Sequence, residues 1–99
     1  MQYPEYDGLL FAVPNGGRRD KKTGAMLREE GVRAGVSDLL LLVPSRDYHG
    51  LCIEMKTPRG RLHPSQERWM EKVRKQGYRY SLCRSLEEFQ TAVRVYFMM

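Results

Sequence analysis

The sequence predicts an α/β fold, a mixed β-sheet flanked by helices. Three features carry that expectation: short apolar runs closed by turns rich in glycine and proline, one segment with apolar residues at helical spacing, and a capped apolar segment near the C-terminal end. Leu9, Leu10, Phe11, Ala12 and Val13 form the first run, and Pro14-Asn15-Gly16-Gly17 closes it as a buried strand entering a tight turn would be closed. The basic segment Arg18-Arg19-Asp20-Lys21-Lys22 then reads as an exposed loop. Thr23 suits the N-cap of a short helix through Ala25, Met26 and Leu27, with Gly31 as its stop. Gly31 and Gly35 bracket a bend into a second strand that begins near Asp38 and runs to Val43, and residues 44–50 turn it back as a hairpin into a third strand, Leu51 to Lys56. Thr57-Pro58-Arg59-Gly60-Arg61 is a loop, and Pro64 suits the first turn of a helix, where its missing N–H would be unpaired in any case. In that helix Trp69 and Val73 lie at i and i+4 with Gln66 and Met70 on the adjoining rows, and Gly77 ends it. Tyr78 to Cys83 alternates as a half-buried strand does. Ser85 and Glu88 form a capping box for a terminal helix whose apolar face is Leu86, Phe89, Val93 and Phe97.

At 99 residues the chain reads as one domain, residues 1–99, of a size that buries a modest fraction of its surface. An oligomer would relieve that. Lys and Arg outnumber Asp and Glu by 17 to 12, and the net charge of +5 points to a polyanionic partner. Cys52 and Cys83 fall inside predicted strands and read as small buried hydrophobes. Together with His49 and His63 they lack the short repeated spacing of a structural zinc site. No apolar stretch is long enough to span a bilayer, and Met1-Gln2-Tyr3-Pro4-Glu5 has no basic-then-apolar leader, so a cytoplasmic protein is expected.

The chemistry concentrates in the predicted hairpin. Side chains alternate across a strand, so Glu54 and Lys56 share one face while Ile53 and Met55 take the other. A register that opposes Leu42 to Gly50 also opposes Leu40 to Cys52 and Asp38 to Glu54, and thereby gathers Asp38, Glu54 and Lys56 on one spot. Two carboxylates and an ammonium on a sheet are costly unless something compensates them. A hard divalent cation with oxygen ligands is the natural compensator, which makes a metal-dependent phosphodiesterase the chemistry to look for. Taken singly, Asp38 reads as a turn acid, Glu54 with Lys56 as a same-face ion pair, and Gln66 as a helix-surface glutamine.

Together these residues resemble a known family. Val13-Pro14-Asn15-Gly16-Gly17, the run from Glu30 to Asp38, Glu54-Met55-Lys56, and Leu62-His63-Pro64-Ser65-Gln66 leading into Trp69 stand in the order found in the PD-(D/E)xK nuclease superfamily. The resemblance is to its virus-type replication-repair nuclease domains, VRR-NUC. It implies a restriction-endonuclease-like mixed sheet flanked by helices. The chain departs from the pattern in two places: Ser37 stands where the family usually has proline, and the usual N-terminal helix with an additional acid is lacking or shortened, Glu5 and Asp7 being the early acids.

By this resemblance Asp38, Glu54 and the backbone carbonyl of Met55 would hold Mg²⁺ or Mn²⁺, which activates a water for in-line attack on the phosphate. Lys56 would orient that water or take its proton, and Gln66 would position the water or Lys56. Arg18, Arg19, Lys21 and Lys22 are the candidate phosphate-contact loop, aided by Arg59 and Arg61. The resemblance further implies a DNA endonuclease, a homodimer acting in repair on branched DNA such as Holliday junctions, with a phage-infected or prophage-bearing bacterial cytoplasm as its setting. The competing readings are a non-catalytic nucleic-acid-binding module and a restriction-type, sequence-specific nuclease.

Overall fold

A computed structural model describes residues 4–14 and 35–99. The predicted helix capped by Thr23, the bend at Gly31 and the basic loop of Arg18, Arg19, Lys21 and Lys22 lie outside the described residues. The elements, in chain order, are a single 3-10 turn Pro4–Tyr6, strands β1 (Leu10–Ala12), β2 (Leu39–Leu41) and β3 (Leu51–Met55), helix α1 (Pro64–Lys75), strand β4 (Arg79–Cys83) and helix α2 (Leu86–Phe97). The strands lie in the order β1-β2-β3-β4. β2 pairs antiparallel with both β1 and β3, and β4 is parallel to β3, so the sheet is mixed as expected.

Each helix covers one face of this sheet. Leu41, Val43, Leu51, Ile53 and Cys83 point to one side and form a core with Tyr96 of α2, against which Phe89, Ala92, Val93 and Phe97 pack. Cys52 and Tyr80 point to the other side, under Val73, Trp69 and Met70 of α1. With helices on both sides, β3 is buried from Leu51 through Glu54, which is why it reads as a continuous apolar run broken by one acid. The two cysteines are free and buried, as expected, and they lie one on each face.

Two expectations need correction. β1 was expected to be a buried strand, yet Phe11 is 38% exposed, because this three-residue strand pairs with β2 alone among the described strands. Leu86 was expected on the apolar face of α2 and is 69% exposed. It occupies the first turn, where a side chain leans back toward the helix N-terminus and away from the rows that reach the sheet. Tyr96 takes the central place instead, buried to 1% exposure with its hydroxyl donating to the Val43 carbonyl at 2.6 Å. Both helix starts are closed by side chains. The Ser85 hydroxyl accepts from the Glu88 amide at 3.0 Å, while the Glu88 carboxylate reaches one residue further back than a capping box requires, to the Arg84 amide at 3.1 Å.

Candidate active site

The hairpin register is the one the sequence implied. Leu39 pairs with Ile53, Leu40 with Cys52 and Leu41 with Leu51. One step further along the same ladder, Asp38 comes opposite Glu54. Asp38 does not hang free at the strand entrance: its Oδ2 accepts the backbone N–H of Met55 at 2.8 Å. Glu54 is 1% exposed, and its Oε1 has no hydrogen-bond partner. Burial, and then a hydrogen bond that only a protonated carboxyl can share with Asp38, push the Glu54 pKa from 4.5 up to about 8. The negative charge of Asp38 adds to the rise. Lys56 and the Asp38 amide oppose it. Asp38 and Lys56 therefore both act electrostatically on Glu54.

Helix α1 is fastened to the same place. The indole N–H of Trp69 donates to the hydroxyl of Ser37 at 2.9 Å, and Ser37 is fully buried. Gly35, at φ +88°, lies so close to the first turn of α1 that a Cβ there would collide with the Ser65 carbonyl. Only glycine fits this position on either ground. Gln66, half-buried in that first turn, uses its side-chain oxygen to accept the His63 amide at 2.8 Å. That leaves its NH₂ donors as the group with which it can act on a neighbour.

Arg59 and Arg61 are exposed on the loop that follows Lys56. Glu5 is exposed in the 3-10 turn, and among the described residues neither it nor Asp7 joins Asp38 and Glu54 in a cluster of three potential metal-ligating side chains. Sequence reasoning missed three contributors. Ser37 stood out as a departure from proline, but its bond to Trp69 spans 32 positions. Tyr80 is 8% exposed with a buried hydroxyl that has no hydrogen-bond partner, and its pKa is raised first by burial and then by the charge of Glu54. Arg84 had no signal beyond its place at the end of a strand.

The family model of the VRR-NUC domain matches residues 5–87, which includes all of these side chains. The chain belongs to the VRR-NUC family. A solved structure of a VRR_NUC domain protein has the same fold, with a TM-score of 0.79 and 24% identity over 91% of this chain and 68% of that one. No curated protein matches the chain. Membership of VRR-NUC makes this a nuclease-type domain, and the mixed sheet with its two helices is the architecture of that structural neighbour. Among the described residues, no helix of this VRR-NUC chain is long and apolar enough to cross a membrane.

Proposed function

We propose that the chain is a metal-dependent endodeoxyribonuclease that hydrolyses phosphodiester bonds at Asp38, Glu54 and Lys56. The observation that carries this reading is the buried Glu54 Oε1, left without a partner beside a second carboxylate. An orphaned carboxylate oxygen is expensive to bury, and the donor set here is all oxygen, which fits a hard cation such as Mg²⁺ or Mn²⁺. Asp38, Glu54 and the Met55 carbonyl would hold it. When bound, such an ion supplies Lewis-acid polarisation of the phosphate and activation of a water.

The residues of the chain do the rest. Asp38, tied to the Met55 amide, keeps its remaining lone pairs aimed from a fixed position. Lys56, two residues beyond Glu54 on the same face, places a positive charge where the phosphate gains negative charge. Gln66 orients the nucleophile or Lys56 through its amide donors. Arg59 and Arg61, with Arg18, Arg19, Lys21 and Lys22, contact phosphates and supply affinity without base identity.

The substrate proposed is branched DNA of the four-way type, cut by a homodimer whose symmetry matches that of the junction. The exposure of Leu86, Val95 and Met98 on and beside α2 supports a second copy covering that surface. Phe89, Val93 and Phe97 are spent on the core of the chain itself.

A cleavage panel of duplex, single-stranded, flap and four-way DNA, with Mg²⁺, Mn²⁺ or EDTA, tests the activity and its substrate. Cleavage should require the ion. Lys56→Ala should bind metal normally in calorimetry while losing most of its rate. Undiminished cutting in EDTA would refute the proposal, and binding without cutting of any substrate would favour a non-catalytic module.

A further inference from the structure

The loop that follows Lys56 is folded around one side chain. The Gly60 amide donates to the Thr57 carbonyl at 3.1 Å, closing a turn with proline second and glycine fourth. Arg84, at the end of β4, then inserts Nη1 among the backbone oxygens of this turn, donating to Thr57 at 2.8 Å, Pro58 at 3.3 Å and Gly60 at 2.7 Å. The parallel pairing of β3 and β4 makes this possible. Both strands end on the same side of the molecule, and the Lys56 amide donates to the Cys83 carbonyl at 2.9 Å, one residue before Arg84.

Drawing those carbonyls inward fixes the other side of the loop. In a planar trans peptide the C=O and the next N–H point in opposite directions, and none of the described peptide bonds is cis. With the Pro58 and Gly60 oxygens turned toward Arg84, the N–H groups of Arg59 and Arg61 must point away from it. Neither amide makes a hydrogen bond within the described residues. Both arginine side chains are exposed, and Gly60 lies against Lys56, where an added Cβ would sit 3.5 Å from the Lys56 Cβ. Two outward amides in a tight turn, with a guanidinium on each of the same two residues, present hydrogen-bond donors and positive charge to an anion.

We infer that the turn Thr57–Gly60, held by Arg84, is a phosphate-binding site that grips a backbone phosphate of the nucleic acid next to Lys56 through the amides of Arg59 and Arg61 and their side chains. Arg84 is its positioning residue and does not touch the phosphate. This deepens the nuclease reading and rests on it for the identity of the polyanion. Its test uses binding alone, so that a failure of cleavage and a failure of this site remain distinguishable.

The wild-type chain, labelled with ¹⁵N, is titrated with a short DNA duplex and, separately, with inorganic phosphate, both in EDTA. The Arg59 and Arg61 amides should shift with both ligands. Amides that stay unmoved while DNA binds elsewhere would overturn the site. In parallel, Arg84→Gln and Arg84→Lys are compared by fluorescence anisotropy, with melting curves to establish that each is folded. Arg84→Gln should weaken duplex binding about tenfold, the loss of one charge-assisted hydrogen bond, and flatten the salt dependence. Arg84→Lys should not restore the affinity, because an ammonium lacks the planar reach of a guanidinium. In an Arg59→Gln/Arg61→Gln background, which keeps the two amides but not the guanidiniums, Arg84→Gln should cost clearly less than it does in the wild type. A folded Arg84→Gln with unchanged affinity and salt slope, or effects that simply add, would make Arg84 a structural clamp without a ligand.

Discussion

Asp38 and Met55 are joined across the hairpin by a 2.8 Å bond from backbone amide to carboxylate, so one proposed ligand is anchored by the very residue whose carbonyl is proposed as another. Asp38 thus has a structural duty, the bond to the Met55 amide, that can be separated from its proposed chemical one. Asp38→Asn keeps an oxygen to accept the Met55 amide but loses the charge. It should melt near the wild type while losing metal affinity and cleavage. Asp38→Ala loses both and leaves the amide without its partner, at an expected further cost of about 1–3 kcal/mol. Calorimetric metal titration and denaturant unfolding of the two variants separate the duties. Equal stabilities would show that the tether contributes nothing.

The raised pKa of Glu54 ties stability to pH. Folding lifts this carboxyl from 4.5 to about 8, so between those values the folded chain keeps a proton that the unfolded chain has released. Stability contributed by that proton is full below the lower value and is lost as pH rises through the window. In EDTA the wild type should therefore melt lower at about pH 8 than at about pH 5, as far as this group decides it. Glu54→Gln, neutral throughout, should remove this contribution and melt higher than the wild type at the alkaline end. Added Mg²⁺ or Mn²⁺ should stabilise the wild type most at that same end, where the ion no longer competes with a proton. A Glu54→Gln curve parallel to the wild type across the window would mean that Glu54 does not titrate there.

What the sequence made legible is what local rules determine. Strand alternation placed Glu54 with Lys56, and the hairpin register that opposes Leu40 to Cys52 carried Asp38 to them. Proline at the start of α1 and serine before α2 marked both helices. What stayed hidden depends on contacts between elements distant in sequence. The Trp69–Ser37 bond, the Tyr96 hydroxyl on Val43 and the Arg84 clamp on the turn after Lys56 exist only once α1, α2 and β4 have packed. Leu86 failed for a related reason: helical spacing shows which residues share a stripe, but not how far along the helix the sheet extends.

The bond between Trp69 and Ser37 yields the last prediction. It links the middle of α1 to the residue immediately before Asp38, and Ser37 is fully buried, so its hydroxyl has no water to fall back on. Burial raises the pKa of the Cys52 thiol and Ser37 lowers it, so β3 borders the same contact. Trp69→Phe keeps most of the ring packing against Cys52 and Tyr80 but removes the donor. It should cost about 1–2 kcal/mol, and Ser37→Ala a similar amount. If the bond is the cause, the double variant should cost little more than either single one, because each change removes the same interaction. The consequence for the site should be specific. Trp69→Phe should lower the cleavage rate and metal affinity together through a misplaced Asp38, and leave binding to duplex in EDTA unchanged, since the proposed phosphate contacts lie on other segments. Additive stability losses would show that the two side chains do not depend on each other. Normal cleavage in a destabilised Trp69→Phe would show that this contact holds the helix without setting the position of Asp38.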